Sequence, residues 1–380
     1  MIWLWIACVL QACLLLGILA LTLPDILFAL RRWWGRIHIG RWKDPALWGA
    51  AVERAARKQS KRLPAVPLTD QTRLTFLERR RGEYRGGCLQ LWHEAALLDA
   101  LGERGPLGEA PGIEARVHLG VRALAALRGG HSAGLPWIQS LTQYFYAHID
   151  GYGTMSYDRE SNHLRLVDTL WMVCPFLFGY AARAGDREAA ALAKRQLEEY
   201  LRLGMHPITA LPVHALLLPG GVPLGLYGWG RGSAFLLLAL AESHLEADDE
   251  EDRRWLLSEC LRCAGALLRA QLPGGGWSRQ LLGIFEPEAS ATAMLGYAMA
   301  LIARALPPGH DMREACHDSA VRARQCLMGI TRRGGLVDYA QGDARGLGQY
   351  ALRFEPLPLA QAYALRLSRA LDETAALSNG

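Results

Sequence analysis

Apolar and polar positions follow a helical period along most of this chain, and strand-like patterns are almost absent. Segments rich in Ala, Leu and Arg alternate with loops rich in Gly and Pro, and acidic residues such as Asp186 precede some segments as caps would. The pattern predicts helices over 88–101, 112–127, 135–149, 166–183, 187–203, 231–246, 252–271, 288–305, 312–329 and 354–371.

This number of helices in paired succession predicts an all-α fold, an (α/α)6 toroid or six-hairpin barrel. Long glycine-rich loops follow alternate helices, so they would gather at one mouth of the barrel and build a site there. A plain helical solenoid is the structural alternative.

The N-terminus differs from the rest of the chain. From Ile2 to Leu23 every residue is apolar or small except Gln11, which is long enough for a transmembrane helix. No basic residue precedes this stretch, whereas Arg31 and Arg32 follow it. By the positive-inside rule we predict a single-pass anchor in a bacterial inner membrane with the body in the cytoplasm. An uncleaved export signal with a periplasmic body is the alternative.

The predicted domains follow from this contrast: residues 1–30 form the anchor, 31–62 a basic, Trp-rich juxtamembrane segment, and 63–380 the barrel. Of the net charge of +5, the excess lies in 31–62, which holds ten Lys and Arg against Asp44 and Glu53. The body is therefore not basic, and nucleic acid is not expected as a partner.

The cysteines do not predict a metal site or a disulfide framework. Cys260 and Cys263 form a CxxC pair, but they lie inside a predicted helix with no second pair and no nearby His pair. We expect both to be ordinary helix residues and predict neither metal nor cofactor.

Two segments carry residues that chemistry would use. Asp168 opens a strongly apolar helix, where it is either an N-cap or a carboxyl group held at an apolar mouth for proton transfer. In Trp229-Gly230-Arg231-Gly232 the glycines flank a Trp and an Arg, a combination suited to an acidic sugar. The alternative is a tight loop with a surface Trp.

Two further segments are weaker by themselves. His214 ends a segment that begins at His206, and a lone His is more often structural. The stretch from Glu288 to Met294 is rich in small residues, which would equally serve close helix packing.

In this order and spacing the four segments resemble the unsaturated glucuronyl and rhamnogalacturonyl hydrolases of glycoside hydrolase families 88 and 105. The specific matches are the D-T-L-x-M-x-x-P-F-L helix that begins at Asp168 and the W-G-R-G segment that begins at Trp229. The resemblance covers about residues 85–371.

The resemblance implies an (α/α)6 barrel that removes a 4,5-unsaturated uronic acid from an oligosaccharide by hydrating a vinyl ether, without a cofactor. The aspartate matching Asp168 would transfer the proton. The residues matching the substrate-binding positions are His214, Trp229, Arg231, Ser233 and Phe235.

Several positions depart from the family pattern. Ser233 stands where the family has Asn, and Phe235 stands where it has Trp. Leu216 and Leu217 replace the last part of a G-W-D motif. A second acidic residue has no clean counterpart, the candidates being Glu94, Asp99 and Glu114.

Two functions remain open. The first is a membrane-anchored hydrolase acting on acidic oligosaccharides or polysaccharides. The alternative is a catalytically altered or inactive barrel that binds glycan, or polysaccharide-assembly proteins, in making or exporting a cell-surface polysaccharide. A purely structural helical scaffold is disfavoured, because packing has no use for the Trp229–Gly232 combination.

Overall fold

The computed structural model of this protein describes residues 1–61, 87–111, 116–157, 162–283, 285–342, 347–351 and 354–378. The helices are α1 (Ile2–Arg36), α2 (Pro45–Ser60), α3 (Gly87–Leu101), α4 (Leu119–Arg128), α5 (Pro136–Ala147), α6 (Val167–Ala184), α7 (Arg187–Leu203), α8 (Gly230–Glu246), α9 (Glu250–Arg269), α10 (Ala289–Ala305), α11 (Asp311–Gly329) and α12 (Pro358–Ser378).

An inner ring is formed by α3, α4, α6, α8, α10 and α12, each of which packs against two others until the ring closes. These helices are apolar on nearly all sides: α8 is buried from Gly230 to His244 and α10 from Ala289 to Leu295. A helix that is apolar all round needs neighbours on every side, which the ring supplies.

The outer helices are amphipathic and cover the ring. In α7 the buried positions include Ala189, Leu192, Gln196 and Tyr200, a single helical face, and the other face is polar. Gly185, in a left-handed conformation, ends α6, and the Asp186 carboxylate caps α7 by accepting from two backbone N–H groups. The predicted (α/α)6 toroid is confirmed.

Most predicted helices lie within a few residues of the observed ones. The helix predicted over 112–127 begins at Leu119; residues 112–115 lie outside the described part. The C-terminal helix begins at Pro358 rather than at residue 354, where the chain forms the short strand Phe354–Glu355.

Helix α2 lies within the predicted juxtamembrane segment 31–62. This helix packs against α12 and α3, and it buries Trp48, Val52 and Ala56 completely. The Trp48 indole N–H also donates to Thr331 Oγ1 at 2.9 Å. Because these side chains belong to the same core as the ring, α2 is part of the barrel's packing.

The end of the ring formed by the C-termini of its helices holds buried charges. Arg128 of α4 lies 2.7 Å from Glu246 and 3.6 Å from Glu242, both on α8. Arg366 of α12 pairs with Glu242 and with Asp99 of α3. Burial would lower the pKa of Arg128, but the charges of Glu242 and Glu246 outweigh it and raise the pKa above its usual value. These pairs tie α3, α4, α8 and α12 together.

One described helix segment is long and apolar enough to cross a membrane, Ile2–Leu23, and no residue of it is buried. A signal sequence has the same properties. The helix continues without interruption to Arg36 and there contacts the barrel.

Replacing Trp48 tests whether α2 belongs to the barrel. Trp48→Ala should destabilise the full chain by about 3–5 kcal/mol, because it removes a fully buried indole and its hydrogen bond. Leu47→Ala, at a side chain that is 64% exposed, should change stability by less than about 0.5 kcal/mol. Thermal unfolding in neutral detergent measures both, and equal melting temperatures would contradict the assignment.

Candidate active site

A three-stranded antiparallel sheet brings the first two site residues together. Strand β1 (Leu164–Leu166) runs directly into α6, and β2 (Ala215–Leu217) pairs with it and with β3 (Val222–Leu224). The Val167 N–H donates to the His214 carbonyl, so the ladder extends one residue past the strands. Asp168, on the first turn of α6, therefore lies beside His214.

Asp168 is not the cap of α6, because that position is held by Leu166. Its Oδ2 lies 3.5 Å from His214 Nε2, and the two side chains are 19% and 6% exposed. Oδ2 is buried and accepts no hydrogen bond within the described ranges. A carboxylate near a helix N-terminus is favoured by the helix dipole. Asp168 thus lies beside His214 with one oxygen unsatisfied, an arrangement suited to a substrate hydroxyl or to proton transfer.

Tyr350 orients the imidazole, and sequence reasoning missed it. The Leu226 N–H donates to its hydroxyl at 3.2 Å, and the hydroxyl lies 2.7 Å from His214 Nδ1. Burial raises the pKa of Tyr350 to about 12; the Leu226 hydrogen bond opposes this and the charge of Asp168 adds to it. The neutral hydroxyl can donate to Nδ1, which leaves the imidazole proton on Nε2, facing Asp168.

Trp229 forms the aromatic wall of the site. Its ring centroid lies 4.5 Å from that of His214 and 5.2 Å from that of Tyr350. Trp229 is 3% exposed, so the alternative interpretation of this segment as a loop with a surface Trp is wrong. The glycines beside it serve packing within the protein: a Cβ on Gly230 would lie 2.2 Å from the Ser278 carbonyl oxygen, and one on Gly232 would lie 2.7 Å from the Trp229 ring.

Arg231 points into the protein. Its guanidinium donates to the backbone carbonyls of Gln341 and Gly342, both at 2.9 Å, and the residue is 2% exposed. In this arrangement Arg231 fixes the segment that borders the mouth. Its binding of a substrate carboxylate stays a prediction.

Ser233 and Phe235, the last two predicted substrate-binding residues, are both buried inside the barrel. The Ser233 hydroxyl is buried without a hydrogen-bond partner among the described residues. Phe235 is 1% exposed and stacks on Trp171 at 5.2 Å, with Trp92 also in edge contact. Phe235 therefore contributes to an aromatic layer beneath the site, and direct substrate contact for either residue remains a prediction.

Residues 338–342, here called the rim segment, border the site. The Trp229 indole N–H donates to Gln341 Oε1 at 3.1 Å, and the Gln341 side-chain amide donates to the Ala351 carbonyl next to Tyr350. The Gln341 backbone N–H donates to Glu288 Oε1 at 2.7 Å. The fully buried Glu288 is also the cap of α10, accepting from two backbone N–H groups. The small-residue stretch after it serves packing, and its carboxylate fixes the rim segment.

The last turn of α1 holds the other end of the rim segment. Arg36 donates twice to Asp338, at 2.7 and 2.8 Å, and its guanidinium lies 4.1 Å from the Tyr339 ring centroid. Arg332 also donates to Asp338 at 2.7 Å. Burial would raise the pKa of Asp338, but the hydrogen bond from Arg36 and the charge of Arg332 lower it below its usual value. Tyr339 has φ +61°, a strained conformation that these contacts support.

Two of the candidates for a second acidic residue lie in the described part of the chain, and each is close to an arginine. Asp99 belongs to the buried charges at the opposite end of the ring, and Glu94 lies 4.0 Å from Arg122. Glu114 lies outside the described residues. At the N-terminus of α4, next to α6 in the ring, the cap position is His118, which is 4% exposed. Burial, with a smaller effect of the Arg116 charge, lowers its pKa to about 4.

Comparison with known proteins places the chain in a family. The model of glycosyl hydrolase family 88 matches residues 131–342, more than half of the chain, and the chain belongs to that family. The suspected relationship is thereby confirmed, and the chain is a member of a glycoside hydrolase family. A search of curated proteins finds no match.

Solved structures share the fold at low identity. An unsaturated glucuronyl hydrolase specific for heparin is 14% identical with a TM-score of 0.63, covering 87% of this chain and 98% of its own. A possible GH105 member from Klebsiella pneumoniae is 18% identical with a TM-score of 0.62, covering 86% and 82%. A polysaccharide lyase is 12% identical with a TM-score of 0.61, covering 88% and 99%. At these identities the likeness shows the fold alone.

Replacing Arg36 tests whether α1 organises the rim segment. Arg36→Ala leaves the buried Asp338 with Arg332 as its remaining side-chain partner, so amide exchange at Tyr339 and Gln341 should accelerate about tenfold. Arg41→Ala, at an exposed arginine just after the turn that follows α1, should leave the exchange rate unchanged. Hydrogen exchange of the full chain in detergent measures both, and identical protection would contradict the coupling.

Replacing His118 tests its burial in the neutral form. Between pH 6.5 and 4 the unfolded chain binds a proton at His118 and the folded chain does not, so this group lowers stability as pH falls through that window. His118→Gln should abolish roughly 2–3 kcal/mol of that decline. His163→Gln, at an exposed residue, should retain it. Unfolding curves at pH 7 and 4 give the comparison, and a decline unchanged in His118→Gln would refute the assignment.

Proposed function

We propose that this chain is a membrane-anchored hydrolase that removes a 4,5-unsaturated uronyl residue from the end of an acidic oligosaccharide. The observation that carries the proposal is the pairing of Asp168 with His214: a carboxylate oxygen without a hydrogen bond in the described part lies 3.5 Å from an oriented imidazole. Membership of glycosyl hydrolase family 88 supports the reaction class.

In the proposed reaction the protonated form of Asp168 delivers its proton to C4 of the vinyl ether, and positive charge develops at C5 and the ring oxygen. The carboxylate then takes a proton from water as the water oxygen bonds to C5. The product is a hemiketal, which opens and releases the saccharide. His214, held by Tyr350, binds a sugar hydroxyl beside Asp168, and Trp229 limits the site on one side.

We further propose that α1 anchors the chain in a membrane. The apolar span Ile2–Leu23 is followed by basic residues and by the exposed Trp33 and Trp34, which are 62% and 73% exposed. Arginine and tryptophan at the end of an apolar helix are typical of a membrane boundary. The basic residues favour the cytoplasmic side of a bacterial inner membrane for the barrel, and a periplasmic barrel is the alternative.

A second candidate function is a barrel that binds glycan or polysaccharide-assembly proteins without turnover. The observation in its favour is the state of the substrate-binding positions: Arg231 is bonded to backbone carbonyls and Phe235 is buried in an aromatic layer. The fold also occurs in a polysaccharide lyase, so it supports more than one chemistry.

Replacing Asp168 separates the two candidates. Asp168→Asn should lower turnover of unsaturated glucuronyl or galacturonyl disaccharides by about a hundredfold or more, because proton transfer is lost while the side chain keeps its shape. Loss of the ultraviolet absorbance of the conjugated double bond reports turnover by the full chain in detergent.

Asp318→Asn, at an exposed carboxylate on α11, is the matched control and should keep full activity. Melting temperatures of both variants establish that the fold is intact. A fully active Asp168→Asn variant would exclude the proposed chemistry. Glycan binding without any turnover, unaffected by Asp168→Asn, would establish the second candidate.

A further inference from the structure

A large cavity lies where the last turns of α1 meet the barrel. Its volume is about 970 Å³, and α2 and the turn after α11 complete its walls. We call it the junction cavity. Its polar lining residues are Arg31, His38, Lys58, Gln59, Arg332, Arg333 and Glu355. It lies apart from Asp168 and His214, neither of which lines it.

The junction cavity carries an excess of positive charge. Arg31, Lys58 and Arg333 are exposed, and none forms an ion pair or hydrogen bond with another residue in the ranges that the structure describes. Arg332 is already bonded to Asp338, and Glu355 is the carboxylate in the lining. Three basic side chains thus converge on one concave surface, which favours an anion.

The lining also holds polar atoms that lack partners. Gln59 is 8% exposed, and its Oε1 is buried without a hydrogen bond from any described residue. His38 Nδ1, in the turn after α1, is also buried without a hydrogen bond from any described residue. Both atoms are inaccessible to solvent in this conformation, so they belong to the wall of the cavity and are not open to a ligand inside it. The positive charge of the lining indicates the ligand, and a phosphate ester is an anion that this charge would attract.

The position of the cavity identifies the source of that phosphate. Arg31 follows directly after Leu30, the last residue of a second, short apolar stretch over residues 26–30, and Trp34 lines the cavity as well. If α1 spans a membrane, these residues lie at the level of the lipid headgroups, where the surrounding phosphates are those of the bilayer itself.

We propose that the junction cavity binds the phosphate headgroup of an anionic phospholipid, with Arg31, Lys58 and Arg333 as its charge partners. This proposal rests on the membrane anchor of the proposed function and is independent of the chemistry at Asp168. Such a lipid would contact Arg332, which holds Asp338, so it would lie directly against the support of the rim segment.

The test titrates the full chain, in neutral detergent, with short-chain phosphatidylglycerol, short-chain phosphatidylcholine, glycerol 3-phosphate and inorganic phosphate. Native mass spectrometry counts bound lipid, and tryptophan fluorescence follows the titration. Phosphatidylglycerol should bind at least tenfold more tightly than the other three. Lys58→Gln with Arg333→Gln should weaken it about thirtyfold, since each basic side chain at a membrane surface contributes about a factor of five.

The matched control is Lys43→Gln with Arg54→Gln, which removes the same charge from two exposed positions outside the cavity and should leave binding within about twofold. Equal binding of phosphatidylcholine, or equal loss in both double variants, would overturn the proposal. Binding of free phosphate as tight as that of the lipid would overturn the lipid as its source.

A separate measurement tests whether α1 anchors the chain in a membrane. Extraction of membranes with alkaline carbonate releases the chain if α1 does not span the bilayer, whereas the lipid titration reports the cavity alone. Neither the extraction nor the lipid titration depends on catalysis by Asp168.

Discussion

The mouth of this barrel depends on Gln341, whose four hydrogen-bonding groups are all used in contacts with different parts of the chain. Its backbone N–H donates to Glu288 at the start of α10, and its carbonyl accepts from Arg231 at the start of α8. Its side chain accepts from Trp229 and donates to the Ala351 carbonyl. Since the residue is 2% exposed, each group would cost free energy if it lost its partner. The two inner helices and the Tyr350 segment are thereby fixed relative to one another.

The same segment joins the apolar N-terminal helix to the site. Asp338, three residues before Gln341, is held by Arg36 of α1 and by Arg332, and Tyr350 reaches back to His214. Hydrogen bonds connected by short stretches of backbone therefore run from the end of α1 to His214. The helix that we propose as a membrane anchor is thus part of the structure around the site, which a detachable tether would not be.

Much of the fold could be predicted from the sequence because inner and outer helices differ in pattern. Helices apolar all round, such as α8 and α10, need burial on every side, and amphipathic ones such as α7 cover them. The apolar pattern did not predict the packing of α2. The exposed surface of this helix is basic, but Trp48 and Val52 lie on a narrow buried face that joins the core.

The sequence by itself determined the helical class, the apolar N-terminal span and the candidate pair Asp168 and His214. Each of these depends on local periodicity or residue type, which neighbouring positions in the sequence show directly. Tertiary structure alone decided what each site residue does. Arg231 became a support for backbone carbonyls, Phe235 part of a buried layer, and Tyr350 the partner of His214. These roles depend on contacts between residues more than sixty positions apart, and no local pattern shows which distant ring, carbonyl or hydroxyl will lie within reach.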